Sequence, residues 1–375
     1  MTDKYVTFSP YYAGLCNVLM SYELALGITH ITNRKLVVPP KTFMAFLSAG
    51  YDTKEFTDIW QVLDRSMVEN EFSIVDFESV PELNQVKDQI CGPRSYTEKI
   101  TGRITDLFNF RPDTHRTVAE AHTVFTNGKP TTSDHHVFST GRPVVDLDRP
   151  EQFIHFEGCL FGHYFYHVYN SSAERNTLKG KIAKALRYKE PYHHIARRVS
   201  DGLGKYDALH IRRTDFLRQY TNFMQGIDTG DKLLSQVSKF KNLGQLPIYV
   251  ATDEPDHEFF SELKSKYDLY FYEDFEFDLD PLEKAIVDQL ICSNAEFFMG
   301  TKPSTYSARI NRIRGEAGKQ ADDHMGINSI LYTEGGWKEM HRSIPSYMTH
   351  PIPWAFRESK QWSWDDSTHP HWIKE

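Results

Sequence analysis

The chain has 375 residues, a formal net charge of −8, and a composition that is 40% hydrophobic and 25% charged. This composition is typical of a globular protein, and the length predicts two domains. The negative charge argues against a nucleic-acid partner held by bulk basic charge, and no apolar run is long enough to span a bilayer. Residues 1–6 lack the basic and apolar regions of a signal peptide, so with Met1 as the native start we expect a cytoplasmic protein.

The N-terminal part has the pattern of a strand–helix–strand unit. Residues 5–8 alternate like a strand, apolar residues recur at helical spacing from residue 18 to residue 26, and residues 35–40 form an apolar run that ends in two prolines. The turn between them contains Gly14 and Asn17 and would present backbone N–H groups at a helix N-terminus, which is a natural anion site. Gly14 has the alternative role of only making the turn, and Asn17 is either a donor to a sugar or phosphate or the helix cap.

Residues 41–150 are more polar and irregular. Residues 43–47 and 56–63 have helical patterns, and residues 82–142 read as loops and short helices, where substrate contacts often lie. An apolar stretch ends in Asp146 and Asp148, and two carboxylates at this spacing suit a divalent metal that holds a sugar diphosphate. The same pair recurs at Asp278 and Asp280. We predict no metal site, with a metal-dependent transferase as the alternative. The four cysteines have no metal-binding spacing and are expected to be free buried thiols.

From residue 205 onward, predicted strands alternate with predicted helices. The strands lie at residues 208–211, 246–253, 269–272 and 295–300, and the helices at 254–267, from 281 onward, and 306–314. Asp280, Pro281 and Glu283 form a capping box that begins the second of these helices. Strands and helices that alternate at this spacing predict a parallel, doubly wound sheet.

Three of these strands end in polar residues. The sequence HIRRTD occupies positions 210–215, ATD ends at Asp253, and GTKPST spans 300–305. Adjacent strand residues point to opposite faces, so one of the two arginines faces an anion while the other braces the strand end against a carboxylate such as Asp215. A forked guanidinium, a helix N-terminus and hydroxyl groups together predict a diphosphate pocket.

These three motifs resemble those of the GDP-fucose transferases, a superfamily that includes α1,6-fucosyltransferases, nodulation fucosyltransferases and protein O-fucosyltransferases. The resemblance covers residues 205–315 well and residues 14–39 more weakly. It implies an α/β fold of the GT-B type, with two Rossmann-like domains and the donor site in the cleft. We expect an N-terminal, acceptor-side domain at 1–190 and a C-terminal, GDP-sugar-binding domain at 191–330. An aromatic-rich segment at 331–375, which holds five of the six tryptophans, would cross back to the first domain. Those tryptophans either pack there or stack on an acceptor glycan.

The resemblance also implies roles for individual residues. Arg213 would meet the donor phosphates and the glycosidic oxygen, and Asp215 is the candidate general base. Glu23 is interpreted as a solvated surface residue. The remaining donor-binding candidates are Gly14, Asn17, His210, Arg212, Asp253, Asp288, Ser304 and Thr305. Among them, Arg212 would support Arg213 or contact the nucleotide, and His210 would contact the donor or set the strand tip. Asp253 and Asp288 would serve the guanosine or the arginines, and Ser304 and Thr305 would bind the β-phosphate.

The predicted function is therefore that of an inverting, metal-independent glycosyltransferase. It would move fucose from GDP-fucose to a hydroxyl of an oligosaccharide or peptide acceptor, with no cofactor. The alternatives are the same fold with another nucleotide sugar such as GDP-mannose, a metal-dependent donor, or a non-catalytic protein that binds a nucleotide sugar or glycan.

Overall fold

The computed structural model of the protein describes residues 3–8, 14–40, 42–43, 56–84, 122–126, 129–131, 152–156, 166–169, 172–219, 227–239, 243–301, 304–317 and 356–358. The chain divides into two compact units, one of Met1–Tyr188 with Trp354–Asp366 and one of Lys189–Pro353 with Ser367–Glu375. The domain limits expected from the sequence stay a prediction.

The described strands and helices are, in chain order, β1 (Tyr5–Phe8), α1 (Leu15–Thr32), β2 (Lys35–Val38), β3 (Thr42–Phe43), β4 (Phe56–Thr57), α2 (Ile59–Val62), α3 (Arg65–Glu71), β5 (Ile74–Asp76), α4 (Pro81–Asn84), β6 (His122–Thr126), β7 (Lys129–Thr131), β8 (Phe153–Phe156), β9 (Tyr166–Tyr169), α5 (Ser172–Ala185), α6 (Glu190–Leu203), β10 (Asp207–Ile211), α7 (Phe216–Gln219), α8 (Gly230–Val237), β11 (Ile248–Thr252), α9 (Ser261–Lys264), β12 (Leu269–Phe271), α10 (Pro281–Asn294), β13 (Phe298–Gly300), α11 (Thr305–Glu316) and β14 (Phe356–Glu358).

The first unit contains a parallel sheet in the order β5-β2-β1-β8. The predicted strand–helix–strand unit at its start is confirmed by β1, α1 and β2. Apolar residues lie on every side of α1, which is therefore buried around most of its circumference. For this reason the interpretation of Glu23 as a solvated residue is wrong, because Glu23 lies within α1 and is 3% exposed.

Two further groups of strands belong to the first unit. β14, β9, β6 and β7 form a mixed sheet in that order, and β3 pairs with β4 in an antiparallel pair. The predicted helix at 56–63 is confirmed in part, because α2 covers Ile59–Val62 while Phe56 and Thr57 form β4. Of the helix predicted at 43–47, only Phe43 lies among the described residues, and it belongs to β3. Short apolar runs do not distinguish a strand from a helix by periodicity alone.

The second unit is built on a parallel sheet in the order β12-β11-β10-β13, which confirms the predicted doubly wound arrangement. All five residues of β10 are buried, as expected for a central strand covered on both faces. β11 and β12 extend the sheet to one side of β10, and β13 is added on the other side. The strand order therefore reverses between β10 and β13, and this reversal is the switch point at which open α/β sheets bind ligands.

The helices that cover this sheet have identifiable ends. Asp280 and Glu283 form the predicted capping box of α10, with Pro281 as the first helical residue. At the other end of α10, the buried guanidinium of Arg314 donates to carbonyl groups of Ser293, Ala295 and neighbouring residues. These contacts satisfy carbonyls that a helix C-terminus leaves without intrahelical partners. The buried free thiols are confirmed at Cys16 and Cys292.

Two predicted helices differ from the structure. Residues 254–267 form a 3-10 turn at His257–Phe260 followed by the four-residue helix α9 instead of one long helix. The helix predicted at 306–314 corresponds to α11, which begins at Thr305 and ends at Glu316.

Candidate active site

The carboxyl end of β10 lies at the switch point of the second sheet and carries two adjacent arginines. The two side chains take different directions and partners. Arg212 donates from Nε and from a terminal nitrogen to the two carboxylate oxygens of Asp215, at 2.9 and 2.5 Å. Its guanidinium carbon lies 4.5 Å from the centroid of the Phe216 ring. The side chain of Arg212 is 21% exposed and that of Asp215 is 5% exposed. Asp215 therefore orients a guanidinium that retains access to solvent.

Arg213 lies deeper and is held from several sides. Its Nε donates to Glu254 Oε2 at 2.7 Å, and one terminal nitrogen donates to the carbonyls of Ile227 and Asp228 at 3.0 and 2.7 Å. The Phe259 ring covers its face, with the guanidinium carbon 3.6 Å from the ring centroid. Protein atoms thus occupy most of the donor positions of Arg213. The expected contact of Arg213 with the donor phosphates stays a prediction.

Asp253 follows β11 and binds the strand end next to it. One carboxylate oxygen accepts from the backbone N–H of Arg213 at 2.6 Å, and the other accepts from the hydroxyl of Thr214 at 2.6 Å. Asp253 was expected to serve the guanosine or the arginines. The structure places it against the arginine backbone, so its carboxylate fixes the chain that carries both guanidinium groups.

Ser304 and Thr305 stand at the N-terminus of α11, on the other side of β10. Ser304 is 2% exposed, and its Oγ has no hydrogen-bond partner among the residues that the structure describes. The Ser304 backbone N–H donates to the carbonyl of Thr301 at 3.1 Å. Thr301 in turn accepts from the backbone N–H of Arg212 through its hydroxyl at 2.9 Å. A buried hydroxyl without a partner costs free energy, so this position calls for a ligand.

His210 is fully enclosed, between β10 and α11. Its Nδ1 lies 2.7 Å from the Ser307 hydroxyl, and its ring stacks on Tyr306 with centroids 4.5 Å apart. Burial, and secondly the charge of Arg212, lower the pKa of His210 to about 3. His210 is therefore neutral at ordinary pH. Of the two roles expected from the sequence, donor contact or setting the strand tip, these contacts favour the second.

Asp288 is not part of this group. It lies in the middle of α10, 4% exposed, where its carboxylate accepts hydrogen bonds from the Tyr249 hydroxyl and from Lys284 Nζ. Tyr249 is near the start of β11, and the arginines lie beyond the other ends of the strands. Burial raises the pKa of Asp288, against the opposing effect of the Lys284 charge. Asp288 therefore makes no contact with the arginines among the described residues, and its expected role toward the guanosine stays a prediction.

Gly14 and Asn17 belong to the first unit. Gly14 is the N-cap of α1, with an ordinary extended backbone and no side-chain cap. Asn17 donates its backbone N–H to the Gly14 carbonyl at 3.0 Å. Its Oδ1 is buried and has no hydrogen-bond partner within the described ranges. Asn17 therefore does not cap the helix, which leaves its other expected role, a polar contact to a ligand, as a proposal.

No group of three or more His, Cys, Asp or Glu side chains suited to a metal ion occurs among the described residues. Asp146 and Asp148, the alternative metal ligands, lie outside those residues, as do the tryptophans of the C-terminal segment. Metal independence stays a prediction. Within the same described part of the chain, no helix has the length and apolar character needed to cross a membrane.

Sequence reasoning missed Glu254, Thr252 and Thr301 as parts of this region. A signal for Glu254 was present: two adjacent arginines at a buried strand end require two carboxylates, and Asp215 supplies only one. Glu254 follows ATD directly in the sequence. Thr252 and Thr301 lie in the ATD and GTKPST motifs, but their hydrogen bonds to the end of β10 depend on strand order, which the sequence does not show.

A parallel sheet whose switch point carries an arginine, a helix N-terminus and a buried hydroxyl defines a protein of the Rossmann-like α/β class, in which this edge of the sheet is the usual ligand site. The family model described as GDP-fucose protein O-fucosyltransferase matches residues 5–317. The chain belongs to this family, and the resemblance inferred from the three motifs is confirmed.

Curated relatives carry the same description. The chain is 35% identical over 122 residues to GDP-fucose protein O-fucosyltransferase 2 of Caenorhabditis elegans, covering 32% of this chain and 28% of that protein. It is 25% identical over 191 residues to the Homo sapiens protein of the same name, covering 47% of this chain and 44% of that protein. The chain thus matches less than half the length of these relatives.

Solved structures with similar folds include POFUT1 in complex with GDP-fucose. That match has 16% identity and a TM-score of 0.46, and it covers 84% of this chain and 96% of that one. NodZ α-1,6-fucosyltransferase soaked with GDP-fucose matches at 12% identity and a TM-score of 0.44, covering 83% and 92%. At these scores the similarities add nothing to the assignment. The α/β class with two Rossmann-like units rests on the sheets described above.

The expectation of a cytoplasmic protein is wrong. The curated relatives named GDP-fucose protein O-fucosyltransferase 2 act in the lumen of the endoplasmic reticulum. The expectation depended on taking Met1 as the native start of a protein without a leader. Since the relatives are matched over part of their length only, the first residues of this chain carry no information about a compartment.

Proposed function

We propose that this protein is an inverting fucosyltransferase that moves fucose from GDP-fucose to a hydroxyl group of a protein acceptor. The observation that carries the proposal is the buried, unpartnered Ser304 hydroxyl at the N-terminus of α11. It is joined to the backbone of Arg212 through Thr301. Family membership supports GDP-fucose as the donor, and the names of the curated relatives support a protein acceptor.

In this reaction the acceptor oxygen attacks the anomeric carbon of fucose from the side opposite to GDP. The bond from that carbon to the β-phosphate oxygen breaks, and negative charge develops on the departing diphosphate. Arg212, the Ser304 hydroxyl and the N–H groups at the start of α11 are the groups that stabilise this charge. The acceptor hydroxyl gives its proton to water as the new carbon–oxygen bond forms, so the products are the fucosylated acceptor, GDP and one proton.

The two arginines therefore have exchanged roles relative to the expectation from sequence. Arg212 keeps an exposed face and is oriented by Asp215, which suits a phosphate contact by a forked cation. Asp215 uses both carboxylate oxygens for this pairing, so we assign it to orientation and not to proton transfer. Arg213 and Asp253 fix the strand end.

The test is calorimetric titration with GDP, GDP-fucose, GDP-mannose and UDP-GlcNAc, with and without EDTA. We expect guanine-selective binding that EDTA does not change. Arg212→Ala and Ser304→Ala should weaken GDP binding, and Arg212→Ala should lower turnover of GDP-fucose about 100- to 1,000-fold.

The matched control is Arg197→Ala, because Arg197 lies on the exposed face of α6 and pairs there with Glu190. This variant should bind GDP like the wild type. Equal binding of UDP-GlcNAc and GDP, or normal GDP binding by Arg212→Ala, would contradict the proposal.

A further inference from the structure

The end of β10 is held by side chains from the ends of the two neighbouring strands, where regular strand pairing stops. Thr252, the last residue of β11, donates its hydroxyl to the carbonyl of Ile211 at 2.7 Å. Thr301, the residue after β13, donates its hydroxyl to the carbonyl of His210 at 2.8 Å. We call these two residues, Thr252 and Thr301, the threonine clamp.

Each hydroxyl of the threonine clamp also accepts a backbone N–H. The hydroxyl of Thr301 accepts from Arg212 at 2.9 Å, and that of Thr252 accepts from Glu254 at 3.0 Å. Thr301 is completely buried, so no water replaces these contacts. Each hydroxyl thus uses its donor and one acceptor position. The two threonines bind opposite sides of one peptide group, because Thr252 donates to the carbonyl of Ile211 and Thr301 accepts from the N–H of Arg212.

Strand pairing alone does not reach this far. The register of β10 with β13 ends at His210 and Gly300, and the register with β11 ends at Ile211 and Thr252. Arg212 is the first residue beyond both. Without the threonine clamp, the N–H of Arg212 would have no acceptor. The carbonyls of His210 and Ile211 would each lose one hydrogen bond. The clamp therefore extends the sheet by one residue at the position of Arg212.

We propose that Thr252 and Thr301 are positioning residues that hold the backbone of Arg212 so that its guanidinium meets the diphosphate of the donor. The inference rests on the proposed function, because it gives Arg212 the phosphate contact. Asp215 fixes the direction of the Arg212 side chain, and the threonine clamp fixes the point from which that side chain starts. A site of this kind works only when its supporting residues hold the contact group within a fraction of an ångström.

The experiment compares Thr301→Val with Thr301→Ser. Valine keeps the branched shape and removes the hydroxyl, whereas serine keeps the hydroxyl. GDP affinity is measured by calorimetry, and thermal unfolding shows whether each variant is folded. We expect Thr301→Val to bind GDP about ten-fold more weakly than the wild type, because a misplaced guanidinium loses a charge-assisted hydrogen bond. Thr301→Ser should bind within about two-fold of the wild type.

A double-mutant cycle separates positioning from a general loss of stability. If Thr301 acts through Arg212, Thr301→Val should weaken GDP binding by less than about two-fold when Arg212 is already alanine. If Thr301→Val does not fold, Thr252→Val is judged by the same comparison against Thr252→Ser.

The outcomes are distinct. A wild-type protein that does not bind GDP would overturn the proposed function itself. A wild type that binds GDP selectively, together with folded valine variants that bind it equally well, would overturn the positioning role and leave the function standing. A full ten-fold loss in the Arg212→Ala background would also overturn it, because Thr301 would then act without Arg212.

Discussion

Arg213 and Glu254 form an ion pair that is almost completely buried. The two side chains are 10% and 12% exposed, and Arg213 Nε lies 2.7 Å from Glu254 Oε2. The pair joins the end of β10 to the segment after β11, while the other contacts of Arg213 reach the carbonyls of Ile227 and Asp228 before α8. It therefore holds three segments of the second unit together next to the candidate site.

Glu254→Ala should lower the free energy of unfolding by about 3 kcal/mol, because the Arg213 charge would remain buried without its carboxylate. Urea unfolding followed by circular dichroism measures this change. The matched control is Glu190→Ala, since Glu190 pairs with Arg197 on the surface with side chains 60% and 51% exposed. That loss should stay within about 0.5 kcal/mol. Equal losses of unfolding free energy in Glu254→Ala and Glu190→Ala would show that the buried ion pair contributes no more to stability than the exposed one.

Asp288→Asn should lower stability by about 1–3 kcal/mol and leave GDP affinity unchanged. The amide cannot accept from both Tyr249 and Lys284 as the carboxylate does, so one buried donor loses its partner. Unfolding and calorimetry on the same preparation check both parts. Tyr249→Phe removes the hydroxyl that donates to Asp288, and it should also lower stability and leave GDP affinity unchanged. A folded Asp288→Asn protein that no longer binds GDP would return Asp288 to the donor site.

Gly300→Ala should disturb the start of α11 and weaken GDP binding. A Cβ at Gly300 would lie 2.5 Å from the Ser307 hydroxyl and 2.7 Å from Ser307 Cβ, and that hydroxyl holds His210. Overpacking of this kind costs about 1–3 kcal/mol, measured as a loss of unfolding free energy. Gly202→Ala is the control, because a Cβ there meets no atom within 4 Å. That change in α6 should be neutral or stabilising. A Gly300→Ala variant that is as stable as the wild type would show that Ser307 moves aside for the added methyl group without a cost in free energy.

Asp207→Asn should stabilise the protein at pH 8 more than at pH 4. Asp207 is 2% exposed at the start of β10, and burial raises its pKa from 3.8 to about 6. A raised carboxyl pKa means that the folded protein binds more protons than the unfolded chain between these two values. Stability from this group is therefore complete below about pH 4 and is lost as the pH rises through about 6.

Urea unfolding of Asp207→Asn and of the wild type at pH 4, 6 and 8 checks this sign. A stability difference between Asp207→Asn and the wild type that is constant across this range would contradict the raised pKa.

Much of the second unit was predictable because its sequence carries local signals. Apolar runs of strand length separated by helix patterns gave β10, β11, β12 and β13, and the capping box at Asp280 placed the start of α10. These signals depend on nearest neighbours along the chain. The same reasoning failed for Glu23 because burial on every side of α1 depends on what packs around the helix, which local sequence does not contain.

The candidate site was predictable as a location and less so in its assignments. Polar residues at strand ends predicted the edge of the sheet at which the structure has the two arginines, Asp253 and Ser304. The choice between Arg212 and Arg213, however, depends on Glu254 and Phe259, which lie about forty residues further along the chain. Asp288 was predicted to be a donor-binding residue because it lies in a family motif. In the structure its carboxylate accepts a hydrogen bond from the Tyr249 hydroxyl.

The order of strands in the second sheet also bears on how the chain is made. Ala208 of β10 pairs with Phe298 of β13, 90 positions later. At ribosomal speeds of about 5–20 residues per second, the strand that leads into Arg212 waits roughly 5–18 s for its second neighbour. During that interval one of its edges offers unpaired N–H and carbonyl groups to any other strand. Newly synthesised chains therefore pass through a stage in which the most important strand of the site is also the one most open to mispairing, and folding assistance has its greatest value before residue 300 emerges.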